Sequence, residues 1–397
     1  MSAAVEAKSG GTDTVSLSVL CAIRVYRSVA AGLINLMFPY LVLVQMGQGA
    51  LILGLIYTVA TLASAGLGLL LSFASDLVGR KAAYIVSLAM LPLSTALLLG
   101  SPSLPVVFLA AAVGGYSATG SLAGGGVGGV AAPIQSALMT DLTSRQDRTF
   151  YFGLLAFLAG IAAAFGAYVA GYLPISVILV VATTVSSVST ILGFFLRDRG
   201  KRGRDLRMRT AKTIGKFSLT GMLNGLGQGL LTPFLIPFFI LIYHVPQDTM
   251  GLYATISGVI ASFSLLLAPR LEKVLGFLGS IYATRGATVV LALIFPFVQI
   301  LPVSLAVYFT LPSLRVTAVP VQQTAMMDMV DSGERGRAFG INQATRLMFS
   351  AAGTGFTGYE FHVDLIYVPF VLYGAVMLGN LFLYRTFFRD YSAPRVR

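Results

Sequence analysis

Asp76-Leu77-Val78-Gly79-Arg80-Lys81 stands between two long apolar runs, residues 50–72 and 83–100. A spanning helix takes about 20 apolar residues, so a short polar turn with two adjacent cations between such runs reads as a loop at one membrane face. Working outward, the same kind of loop recurs at Arg145 and Arg148, in a dense basic run over 197–216, at Arg270 and Lys273, and at Arg335 and Arg337. These basic loops alternate with short connections that hold no Lys or Arg, around 45–50, 101–104, 172–174, 244–249, 301–303 and 359–367. Cytoplasmic loops collect Lys and Arg, which predicts a multi-pass protein of the cell membrane with both termini cytoplasmic.

The composition agrees. The chain has 397 residues, 56% hydrophobic and 11% charged, with a mean hydropathy of +0.84. Soluble domains carry roughly 25% charged residues. The apolar stretches are continuous rather than alternating, which argues against transmembrane strands. Twelve segments are predicted, near 16–45, 50–72, 83–100, 104–140, 150–171, 174–196, 216–243, 249–269, 279–300, 303–329, 338–358 and 366–387. The net charge of +12 belongs mainly to cytoplasmic loops facing anionic lipid, so the bilayer, not nucleic acid, is the expected large partner. One cysteine, Cys21, leaves neither a disulfide nor a cysteine metal cluster. No cleavable leader is expected: residues 1–15 are polar and the apolar stretch after them is too long for a signal core.

An internal repeat divides the chain. Pro133, Gln135, Met139, Asp141, Arg148, Phe152 and Gly153 recur 187 residues later as Pro320, Gln322, Met326, Asp328, Arg335, Phe339 and Gly340. Gly166 with Gly353, and Gly171-Tyr172 with Gly358-Tyr359, extend it to ten identities over forty positions without a gap. A weaker echo at a shift of 197 links Gly32 with Gly229 and Gly54-Leu55 with Gly251-Leu252. The expected organisation is a tail (1–15), a six-helix bundle (16–196), a basic cytoplasmic linker (197–215), a second six-helix bundle (216–387) and a short cytoplasmic tail (388–397). Two parallel repeats around a midplane site describe a transporter better than an enzyme. The glycine run over 120–129 contains a G-x-G-x-x-G spacing, but no strand precedes it and no Walker lysine follows, so a nucleotide loop is not indicated.

In this setting the 76–81 loop resembles the signature loop of the major facilitator superfamily, G-x-L-x-D-R-x-G-R-K. Asp76, Gly79, Arg80 and Lys81 match, whereas Ser72 and Leu77 replace the leading glycine and the first arginine. The resemblance implies an all-α fold of twelve helices in two pseudo-symmetric bundles that work by alternating access. It also implies a conformational latch built from Asp76, Gly79, Arg80 and Lys81, with Asp141 and Arg148, and Asp328 and Arg335, in the corresponding loops. The antiporter motif of the fifth segment is not matched, since no proline follows Gly160 there.

Within the segments lie Arg24, Arg27, Arg315 and Arg346, while all fifteen Asp and Glu fall in tails, loops or helix ends. A charge at mid-bilayer costs roughly 3 to more than 10 kcal/mol, so these arginines call for a wet cavity or a partner. Helical spacing puts Arg315 with Gln322, Asn342 with Arg346, Asn224 with Gln228 and Thr232, and Arg27 with Asn35 on shared stripes; Gln135 repeats Gln322. The expected substrate-binding set is therefore Arg27, Asn35, Gln135, Asn224, Gln228, Arg315, Gln322, Asn342 and Arg346. A small organic anion, carboxylate or phosphate, would supply the missing counter-charge, because the arginine fork pairs two oxygens. Efflux of amphipathic drugs and flipping of a lipid or lysolipid remain the alternatives. No catalytic group, metal or cofactor is indicated. A coupling proton or an exchanged anion is compatible with the sequence, and a monomer is expected.

Overall fold

The computed structural model describes residues 14–100, 102–116, 129–143, 148–196, 210–298, 300–331 and 334–391. These residues are helical throughout, with no strand among them. The helices are α1 (Thr14–Pro39), α2 (Ala50–Val78), α3 (Arg80–Gly100), α4 (Leu104–Gly114), α5 (Ala132–Leu142), α6 (Arg148–Tyr172) and α7 (Ile175–Gly193). They continue with α8 (Ala211–Leu231), α9 (Leu235–Tyr243), α10 (Gln247–Leu265), α11 (Ala268–Ile294), α12 (Leu301–Met329), α13 (Arg335–His362) and α14 (Val368–Phe388).

Counted strictly, nine spans among the described residues are long and apolar enough to cross a membrane, not twelve. The other three expected segments fall short for local reasons. The fourth is described only as α4, eleven residues long, and then from Gly129 onward; the glycine run 117–128 lies outside the described residues. Helices α10 and α13 have the length, with 19 and 28 residues, but polar side chains such as Asp248, and Asn342, Gln343 and Arg346, dilute their apolar runs. The expected seventh segment is broken. Pro233 has no amide proton to give, and Thr232–Phe234 form a 3-10 turn between α8 and α9. Pro39 ends α1 in a similar way, and the chain continues as a π-helical turn over Tyr40–Gln45.

Lipid is as apolar as leucine, so helices in a bilayer associate through close packing of small residues rather than through hydrophobic burial. The glycines do this here. A methyl group added at Gly32 would collide with the Ala163 carbonyl, and one at Gly229 with the Ser350 carbonyl. Gly166 meets Val29 and Leu33, and Gly353 meets Leu226 and Leu230. Each second contact is the first carried over by the repeat shifts of 197 and 187. Between the halves, an added Cβ at Gly54 on α2 would sit 2.7 Å from the Gly358 Cα on α13, and one at Gly251 on α10 would sit 2.8 Å from the Gly171 Cα on α6. Large apolar side chains such as Leu70, Phe195 and Phe382 are two-thirds exposed, as a lipid-facing surface requires.

Candidate functional site

A cavity of about 950 Å³, including the space at its mouth, lies between α1, α2, α8, α9 and α11–α14. Six of the residues singled out by sequence line it: Asn35, Asn224, Gln228, Arg315, Gln322 and Arg346. Arg285 joins them. Three guanidinium groups therefore share one space, and no Asp or Glu is among the residues that line it. They are close enough to feel one another, Arg315 responding to the charge of Arg285 and Arg346 to that of Arg315.

Neutral groups hold each of them. Arg346 donates from Nη1 to Gln228 Oε1 at 2.5 Å and from Nη2 to Gln343 Oε1 at 2.7 Å. Arg315 donates through Nη1 to the Thr232 hydroxyl, which the proline-broken turn between α8 and α9 presents to it. Arg285 donates to Asn380 Oδ1 and, at 3.0 Å, to Gln322 Oε1, and its guanidinium lies 4.7 Å from the centre of the Tyr384 ring. Asn380 is fixed in turn by its Nδ2, which donates to the Thr220 carbonyl at 2.7 Å. Amides and hydroxyls orient a guanidinium and satisfy part of its fork, but they leave its net charge in place.

The rest of the wall is uncharged. Pro39 and Tyr57 come from α1 and α2, and Ile236, Pro312 and Met377 from the second half of the chain. Tyr308 also lines the cavity, and its buried hydroxyl has no hydrogen-bond partner among the described residues.

Arg27, Gln135 and Asn342, expected at the site, do not line this cavity. Arg27 is buried, only 2% exposed, in the electrostatic neighbourhood of Arg24 and Tyr84. Gln135 accepts from Arg24 Nη1 at 3.2 Å. Asn342 is engaged in helix packing: its Nδ2 donates to the Phe217 carbonyl at 2.7 Å and presses against Gly221. Of the tyrosines near the core, Tyr40 donates to the Val245 carbonyl at 2.7 Å, a contact between the two parts of the chain. Gln247 makes another, donating to Ala170 O at 2.6 Å and Leu173 O at 3.1 Å.

Sequence reading missed Arg285 and Tyr308. Arg285 sits six residues inside the apolar run that begins at 279, yet it is only 5% exposed. Its signal was the lone Asn380 in the last segment, a second polar residue stranded in an apolar helix with nothing local to bond.

Gly79 separates α2 from α3 with φ 109°. Lys81 Nζ donates to the Phe194 carbonyl at 2.6 Å, a cation on the C-terminal end of α7 where the helix dipole favours it. Asp328 accepts from the Tyr391 hydroxyl at 3.3 Å; burial pushes the Tyr391 pKa up and Asp328 adds to the push. The side chains of Asp76, Asp141, Arg148 and Arg335 lie outside the described residues.

The model of the Major Facilitator Superfamily matches residues 20–354. No curated protein matches. Among solved structures, the chain is similar to the human organic anion transporter MFSD10 (TETRAN) at 15% identity and a TM-score of 0.70, over 93% of this chain and 98% of that one. It is similar to the nucleoside transporter NupG at 13% identity and 0.66, over 95% and 100%. A bacterial homologue of the human lysosomal transporter Spinster, inward-facing and occupied, matches at 13% identity and 0.68, over 96% and 98%. The nine apolar spans, the repeat-related glycine contacts and a family match over most of the chain lead to one statement: the chain belongs to the Major Facilitator Superfamily of membrane transporters.

Proposed function

We propose that this transporter carries a small organic anion across the cell membrane, its two six-helix halves rocking about the cavity so that it opens to one side at a time. The observation that carries the reading is the set of Arg285, Arg315 and Arg346 around one cavity with no carboxylate in its lining. Buried cations of this kind are tolerable when a guest completes them, and a guanidinium fork is the natural receptor for a carboxylate or phosphate. The similarity to an organic anion transporter adds support.

With the basic loops placed in the cytoplasm, the Tyr40–Val245 and Gln247–Ala170 bonds fall on the outer side, and the halves are fastened there. Asp76, Gly79, Arg80 and Lys81, with Asp141, Arg148, Asp328 and Arg335, would act at the inner side when the halves close on that face. A proton or an exchanged anion would balance the cycle.

The test is uptake of labelled organic acids and phosphates into proteoliposomes. Arg315→Gln abolishes uptake of the transported anion at an unchanged level of protein in the membrane. Undiminished uptake removes Arg315 from the site. Efflux of a cationic dye that survives loss of both Arg315 and Arg346 favours a drug exporter instead.

A further inference from the structure

We infer, resting on that anion reading, that the guest is doubly charged and amphipathic: a dicarboxylate or a phosphate monoester joined to a compact apolar body, with Arg285 counting the second charge. All three guanidiniums come from the second half of the chain, on α11, α12 and α13. The first half contributes Asn35, Pro39 and Tyr57, which carry no charge. The cavity is thus polarised, a cationic wall facing an uncharged, partly aromatic one.

A monoanion bound to Arg315 or Arg346 leaves two like charges uncompensated in the cavity. A dianion bridging two of the guanidiniums relieves their mutual repulsion as well as filling its own hydrogen bonds. Arg285 is built for the second contact. Asn380, Gln322 and the Tyr384 ring fix its position, so little rotamer freedom is left to lose when an oxygen arrives. Gln322, which lines the same cavity, ties Arg285 to the helix that bears Arg315. Tyr57, Pro39 and Ile236, which also line the cavity, offer an uncharged surface for an apolar body.

The experiment measures binding of two matched pairs to the purified full chain in nanodiscs at neutral pH: phthalate against monomethyl phthalate, and phenyl phosphate against methyl phenyl phosphate. Within a pair, size and aromatic surface are nearly constant and only the charge differs. The dianion of at least one pair binds about tenfold more tightly than its monoester, the scale of one additional charge-assisted contact. Arg285→Gln brings that ratio to within about twofold of unity, on the same affinity scale. Equal affinity of monoester and dianion in both pairs, with both binding, overturns the charge-counting inference and leaves the anion reading standing. A ratio that Arg285→Gln does not change removes Arg285 from the role. No binding by any of the four compounds overturns both. The wild-type ratio alone decides the double charge, should Arg285→Gln fail to fold.

Discussion

The Thr58 hydroxyl on α2 is shared between the Gly54 carbonyl of its own helix at 2.8 Å and the Ala351 carbonyl on α13 at 3.2 Å. Its counterpart in the repeat, Thr255 on α10, is shared in the same way between the Gly251 carbonyl at 2.7 Å and the Ala164 carbonyl on α6 at 3.2 Å. Each threonine lies one turn beyond the glycine that lets the two helices touch, Gly54 in one seam and Gly251 in the other. The first and second halves of the chain are therefore joined by two seams of the same design. A larger side chain in a seam separates both its helices.

Gly54→Leu and Gly251→Leu are each expected to destabilise the protein by about 1–3 kcal/mol, the usual scale of overpacking, and to stop transport. Thr58→Val and Thr255→Val each remove one interhelical bond, worth about 0.6 kcal/mol in a membrane protein, and leave transport largely intact. Thermal unfolding in detergent together with uptake separates the two classes. Equal effects of the glycine and threonine variants contradict the seam account.

Arg346→Lys keeps the charge and loses the fork that Gln228 and Gln343 orient. The ammonium is a point charge with no planar pair of donors. Uptake of the anion is expected to fall about ten- to a hundredfold, the equivalent of one lost charge-assisted hydrogen bond of about 1.5–3 kcal/mol. Kinetics of uptake at several substrate concentrations locate the loss in apparent affinity; an unchanged apparent affinity places Arg346 away from the guest.

Asn380→Asp puts a carboxylate beside Arg285, where the amide oxygen now accepts from it. The resident counter-charge competes with the guest, so anion binding weakens more in Asn380→Asp than in Asn380→Ala. Titration of both variants with the transported anion checks the order, and the reverse order shows that Arg285 does not serve the anion.

Gly79 has φ 109° and ψ 143°, a conformation that is essentially closed to residues with a Cβ. Gly79→Ala is expected to strain the turn between α2 and α3 by about 1–3 kcal/mol. A fall in thermal stability is the measurement, and an unchanged transition temperature shows that the turn relaxes.

How much of this was legible follows from the helical period. Asn224, Gln228 and Thr232 recur every fourth residue, and Arg315 and Gln322 are seven apart, so one-face stripes predicted their company in the cavity. The same reasoning overreached on α1. Arg27 and Asn35 are eight residues apart, which at about 100° per residue leaves them about 80° apart around the helix, and only Asn35 reaches the cavity. Asn342 was ambiguous in principle, because a polar side chain on a glycine-lined face can as well bond a neighbouring backbone, here Phe217. The repeat was legible from identities, yet its physical content, matched glycine contacts within and between the halves, needed the packing. The break at Pro233 could be anticipated from proline alone, but not that it hands Thr232 to Arg315.

The cluster of Arg285, Arg315 and Arg346 has an electrical consequence. On the anion proposal, a bound dianion lowers the charge of the chamber from three positive units to one, so a change of access in the loaded state engages the membrane potential less. Empty, it exposes three positive charges first to one aqueous phase and then to the other, so part of the voltage falls across them; a full unit charge over 100 mV corresponds to about 2.3 kcal/mol. The return of the unloaded carrier, more than the loaded step, would then set the voltage dependence of turnover, and an interior-negative cell would hold the vacant chamber open toward the cytoplasm.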